Sequence, residues 1–219
     1  MKWVALVGIV LTAGLALAAC GKGRRGGDLH VRHAVIVATD EGKREFSSVL
    51  NLAGYQYYHF GSTSGYGAVS CRLTGDAVRI PLGDRIFYLL LGSRADSTPA
   101  WRQCGLVKKY FGIPNASEDG SWVEMWRTLA SSDTSAELLV EDYPPIAVVA
   151  KSGWMDDARM VSREEAEELG LRILSYRLKV TRDPVGASHP GPIRYKPQQG
   201  RRPKDFVHQM YIRQEDGPS

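Results

Sequence analysis

Specialised chemistry is scarce in these 219 residues. Only three cysteines occur, at 20, 71 and 104, and none belongs to a C-x-x-C pair, so a zinc ribbon or a thioredoxin-like redox motif is excluded. There is no H-E-x-x-H and no acidic loop of EF-hand spacing. The nearest approach to a nucleophile elbow, Gly61-Ser62-Thr63-Ser64-Gly65, has Thr63 where the serine belongs and reads as a flexible loop. Excess charge is also lacking: 28 Lys plus Arg against 24 Asp plus Glu leaves +4, too mild for a nucleic-acid binder, so no nucleic-acid partner is expected. With 43% hydrophobic and 24% charged residues, the composition is that of one ordinary globular domain rather than a disordered chain.

What is present begins with an address. Lys2 precedes residues 3–19, WVALVGIVLTAGLALAA, a run of 17 without a charge. It is shorter than the roughly 20 residues of a spanning helix and ends in small residues, as a cleaved signal peptide does. Its last residues with the next, Leu17-Ala18-Ala19-Cys20, resemble the lipobox of bacterial lipoproteins. That resemblance implies acylation of Cys20, cleavage before it, and attachment to a lipid bilayer through the acylated cysteine. Gly21 follows where lipoproteins kept at the inner membrane often carry Asp, which implies the outer membrane, facing the periplasm. Cleavage removes one charge, Lys2, and leaves 27 basic and 24 acidic groups. With Cys20 used by lipid, Cys71 and Cys104 remain as an even pair in an oxidising compartment, and a disulfide between them is expected.

The mature chain divides by composition. Residues 20–28 carry four Gly and three basic residues and read as the lipidated cysteine with a flexible tether. Residues 29–185 read as the globular domain, and 186–219 as a Pro-rich basic segment with a last strand over 206–212. LHVRHAVIVAT and REFSSVLNL flank Asp40-Glu41-Gly42 as a β-hairpin, a helix over 43–53 being the alternative. A second hairpin turns at Gly83-Asp84. Ser121 to Ala130 suits a short helix, and Ser162-x-x-Glu165 with Gly170 beyond predicts another over 163–169. Leu174, Tyr176, Leu178 and Val180 are expected to point inward from a strand. Residues 93–142 give no firm pattern. The expected class is mostly β, antiparallel and β-sandwich-like, with one or two short helices; α+β is the alternative.

Two stretches, EGKREFSSVL through GDAVRIPLGDRIFYLLLG and EDYPPIAVVA through ARMVSREEAEELGLRILSYRLKVTRDPV, resemble a group of small exported proteobacterial proteins and lipoproteins. They cover under half of the chain. The shared features are structural, so the resemblance implies no activity and no site residue. Trp154-Met155 and the long basic C-terminal segment depart from the group's pattern.

Candidate site residues are few. His30 and His33 lie three apart in a strand, so they face opposite ways and cannot share a metal; surface or edge positions are expected for both. No metal and no cofactor is expected. Tyr55, Tyr57, Tyr58 and Tyr66 form the densest aromatic stretch, either packing or a platform for a glycan or protein. Arg194, Lys196, Arg201 and Arg202 form a basic cluster, either a solvated tail or a contact for lipid phosphates. The reading is a non-enzymatic envelope binding or structural module with an envelope protein as partner. The alternatives are an envelope hydrolase with a dispersed site and an immunity-type lipoprotein that binds a toxin.

Overall fold

Alternation of apolar and polar residues builds the longest pair of strands. β1 (Arg24–Thr39) buries Leu29, Val31, Val35 and Val37 on one face. A turn at Asp40 and Glu41, closed by the Thr39 hydroxyl donating to the Gly42 carbonyl at 2.9 Å, returns the chain as β2 (Gly42–Tyr58). Pairing with β1 continues from Thr39↔Gly42 to Arg24↔Gln56, which leaves no helix over 43–53. β3 (Tyr66–Asp76) extends the sheet along β2. The computed structural model describes residues 24–58, 66–92, 99–114, 121–151, 158–187 and 211–212.

One residue, Ala77, separates β3 from β4 (Val78–Leu82), which starts a second sheet. The corner needs Gly75: its φ is +139°, and a Cβ there would sit 2.7 Å from Leu50 Cδ2. β4 pairs with β5 (Arg85–Leu89) across Gly83 and Asp84. Next come α1 (Pro99–Phe111), α2 (Ser121–Ala130), β6 (Ser135–Glu137) and a 3₁₀ turn over Val140–Asp142. β7 (Ile146–Ala150), β8 (Arg159–Val161), α3 (Arg163–Glu168), β9 (Arg172–Val180), β10 (Gly186–Ala187) and β11 (Tyr211–Ile212) complete the order. The large sheet runs β11-β3-β2-β1-β9-β6 with β10 on β2, and the small one runs β4-β5-β7-β8. Every pairing is antiparallel. β4 packs on β1 and β2, α1 on β2 and β3, and α2 on β1, around one hydrophobic core. The fold is mostly antiparallel β in two packed layers, as expected.

Four expectations are corrected. Residues 24–28 are strand, not tether, because Gly26 is a floor for packing and the Gly27 carbonyl accepts from the Trp126 indole at 3.1 Å. Trp122 and Trp126 are fully buried, edge to face at 6.4 Å, and a Cβ on Gly26 would meet the Trp126 ring at 2.8 Å. Gly54, on β2, lies equally close under the same ring at 2.9 Å. Helices number three among the described residues. The additional one, α1, starts with Pro99 at its first position and buries Gln103, Cys104, Leu106 and Val107, but Gly105 and exposed Trp101 blur its pattern. Leu174 is 40% exposed, because a bulge pairs Ile36 with Ser175 and Val37 with Ile173, so Ile173 takes the inward place. His33 is the fourth correction, described below. α3 follows its capping box, with the Glu165 amide donating to Ser162 Oγ at 3.1 Å.

Candidate functional site

Three regions carry polar groups near an apolar surface. The first is the Arg24 end of the large sheet. Counting back from the turn puts Tyr55 opposite Gly26, but a bulge between Arg25 and Gly27 sets it opposite Arg25 instead. Arg25 then lies 5.8 Å from the Tyr55 ring centre, and Arg72, a diagonal neighbour on β3, 5.2 Å from it. Asp28 faces Arg25 at 3.6 Å, an exposed pair of small energetic weight. Lys108 of α1 donates to the Val69 carbonyl in the adjoining row and stands 5.6 Å from the ring of Trp101, which is 52% exposed. Partial burial lowers the Lys108 pKa below its ordinary value.

Cys71 and Cys104 meet in this region. Their sulfurs are 2.07 Å apart and their Cα atoms 5.7 Å, within the range of a disulfide, which ties α1 to β3. Cys71 is the β3 member of the row Gly27–Gly54–Cys71, so the bond fastens α1 at the β3 end of that row. Of the expected aromatic platform, Tyr55 stands at this end. Tyr58 pairs with Tyr66 in backbone register, and the side chains of Tyr57, Tyr58 and Tyr66 lie outside the described residues. Cys20, Arg194, Lys196, Arg201 and Arg202 lie outside them too. Arg25 and Arg72 were missed in the sequence because only strand register, bulge included, brings them to one tyrosine.

The second region lies between α1 and α2, an open groove of about 620 Å³. Tyr110, Phe111, Met125 and Leu129 give it an apolar floor, and Glu124, Thr128 and Thr134 a polar rim. At its margin the Tyr110 hydroxyl donates to Asp142 Oδ2 at 2.5 Å, and Lys109 pairs with the same oxygen at 2.5 Å. Burial pulls the Asp142 pKa upward, but the bonds from Lys109 and Tyr110 outweigh it and the net shift is down. Asp142 is therefore held as a carboxylate that fastens the 3₁₀ turn to α1.

Behind this margin is a buried polar seam. His33, expected at the surface or an edge, is 3% exposed and faces the core beside Val31 and Val35. It is tolerated there because Nδ1 shares a 2.9 Å hydrogen bond with the Tyr176 hydroxyl. Desolvation, helped by the Arg102 guanidinium, drives its pKa down to about 3, so the imidazole is neutral. Burial pushes the Tyr176 phenol well above its ordinary value, and it stays protonated. Tyr176 stacks edge-on with Tyr143 at 5.6 Å, and Tyr143 carries Arg163 at 5.4 Å. Arg102 donates to the carbonyls of Asp142 and Tyr143. The seam joins the large sheet, α1 and the entry to α3. His30 points to the opposite face, where Nδ1 lies 2.9 Å from the Asp183 carbonyl.

The third region is the Thr39 end of the sheet. A cleft of about 520 Å³ lies among the turns at Asp40 and Asp84 and the end of α3. Asp40, Glu41, Asp84 and Glu167 line it together with Arg44, Arg85 and Arg172, and Arg85 pairs with Asp84 at 3.5 Å. Among the described residues, no group of three or more His, Cys, Asp or Glu could hold a metal ion, and no helix is long and apolar enough to cross a membrane. No protein-family model, curated protein or solved structure matches this chain.

Proposed function

We propose that the protein is exported, acylated at Cys20 and held on the outer membrane facing the periplasm, where its β domain acts as a non-enzymatic binding or structural module for another envelope protein. The observation that carries this reading is the joining of Cys71 to Cys104, which leaves the cysteine of Leu17-Ala18-Ala19-Cys20 without a thiol partner in its own chain. A disulfide persists where the medium is oxidising, which agrees with the leader. The binding reading is favoured over a hydrolase because His33, the histidine with a strongly shifted titration among the described residues, is sealed in the core and lines neither groove.

Mass measurement of the membrane-extracted protein, before and after reduction and alkylation, tests the anchor and the disulfide together. The expected result is an acylated terminus at Cys20 with Cys71 and Cys104 alkylated only after reduction. An intact Met1 with reactive thiols would overturn the reading. Crosslinking in intact envelopes followed by affinity capture tests the module; no protein enriched over an unrelated lipoprotein would overturn the binding role.

A further inference from the structure

Because β1 begins at Arg24, Cys20 is four residues from the first strand residue. Four residues reach at most about 14 Å when fully extended. Acylation of Cys20 would therefore hold the Arg24 end of the sheet against the bilayer surface, while β1, 16 residues long, carries the Thr39 end about 50 Å away.

The end brought to the lipid has the charge that an anionic leaflet attracts. Arg25 and Arg72 flank Tyr55, Arg24 lies in the next row, and among the described residues Asp28 is an acidic group paired into this cluster. Trp101 and Lys108 belong to α1, which the disulfide to Cys71 places on the opposite face of the sheet from Arg72, so the docking face consists of the arginines and the tyrosine alone. The far end, in contrast, balances its arginines with carboxylates.

We propose that the Arg24 end of the large sheet, with Arg25 and Arg72 around Tyr55, is a docking face for an anionic phospholipid surface, so that the domain stands on the bilayer instead of swinging from its lipid. The geometry rests on acylation at Cys20; the chemistry of the face does not. Each cation near an anionic leaflet strengthens partitioning by a few-fold.

The test uses the mature chain from residue 20 with Cys20→Ser, and vesicles of phosphatidylcholine with or without phosphatidylglycerol. Binding is expected on the anionic vesicles alone, and Arg25→Glu with Arg72→Glu is expected to weaken it at least about tenfold. The neutral pair Arg25→Gln with Arg72→Gln should weaken it by less, and a circular dichroism spectrum equal to the parent's admits each variant to the comparison. Arg44→Glu with Arg85→Glu changes net charge equally at the far end and should leave binding nearly unchanged. Equal loss from both pairs, or no loss from the first because the 194–204 cluster supplies the binding, would overturn the proposal. Failure of the anchor is read separately by mass: an unacylated Cys20 with selective vesicle binding overturns the anchor alone, and an acylated Cys20 without selectivity overturns the docking face alone.

Discussion

At its Arg24 end β1 lies on two tryptophans, with glycines on β1 and β2 brought against their rings and a disulfide tying α1 to Cys71 beside Gly54. At its Thr39 end the same strand closes in a tight turn beside a second turn and the end of a six-residue helix, around a cleft of mixed charge. One end is held by close packing and a covalent bond, the other by local turn chemistry and exposed ion pairs. The difference teaches where stability and surface function sit. A tightly built end tolerates little change inside but can present cations outward without losing shape, whereas a solvated end tolerates substitution throughout.

Substitutions can break that contrast. The largest effect is expected from Trp126→Ala, which empties a fully buried site over Gly26 and Gly54 and should cost about 3 to 5 kcal/mol in denaturant unfolding. A loss below about 1 kcal/mol would mean that the Arg24 end is not packed as described. Cys71→Ser with Cys104→Ser opens a link between residues 33 apart and should cost about 3 to 4 kcal/mol by the chain-entropy account. Reduction of the parent protein should match the double variant, and a mismatch would point to damage by the serines.

Between the two ends, His33 offers a pH test. Its folded pKa of about 3 lies below the unfolded 6.5, so between these values the unfolded chain binds a proton that the folded one does not. Stability should therefore fall as the pH drops from 6.5 towards 3, by up to about 1.4 kcal/mol per unit, and be insensitive to this group above 6.5. His33→Gln should lack that contribution, so the gap between parent and variant should narrow on acidification. A gap constant with pH would refute the sealed, neutral imidazole.

Effects at the far end should be smaller. Ser162→Ala removes the cap of α3 and should cost about 1 kcal/mol. Arg85→Ala, in an exposed pair with Asp84, should change stability by less than about 0.5 kcal/mol. A loss at Arg85 comparable with that at Trp126 would erase the contrast between the ends.

Local chemistry explains what could be read in advance. Both hairpins, the α2 segment, the capping box at Ser162 and the inward set Tyr176, Leu178 and Val180 follow from period, turn residues and caps, all of which are neighbours in the chain. The pairing of Cys71 with Cys104 followed from counting. Other features escaped because their cause is remote. A Gly-rich stretch looks like spacer until a tryptophan 100 residues later is laid on it, and His33 looks exposed until Tyr176 is brought to its ring nitrogen. Leu174 kept the right alternation but met a bulge that no single strand announces.

The sequence by itself determined the β-rich class, the two hairpins and the pairing of Cys71 with Cys104, since each depends on residue type, short spacing or a simple count. Tertiary structure alone decided that Arg25 and Arg72 share one tyrosine, that glycines 26 and 54 lie under one indole, and that a histidine is kept neutral in the core. These depend on register and on which face meets which, and an antiparallel sheet sets both through contacts between residues far apart in the chain.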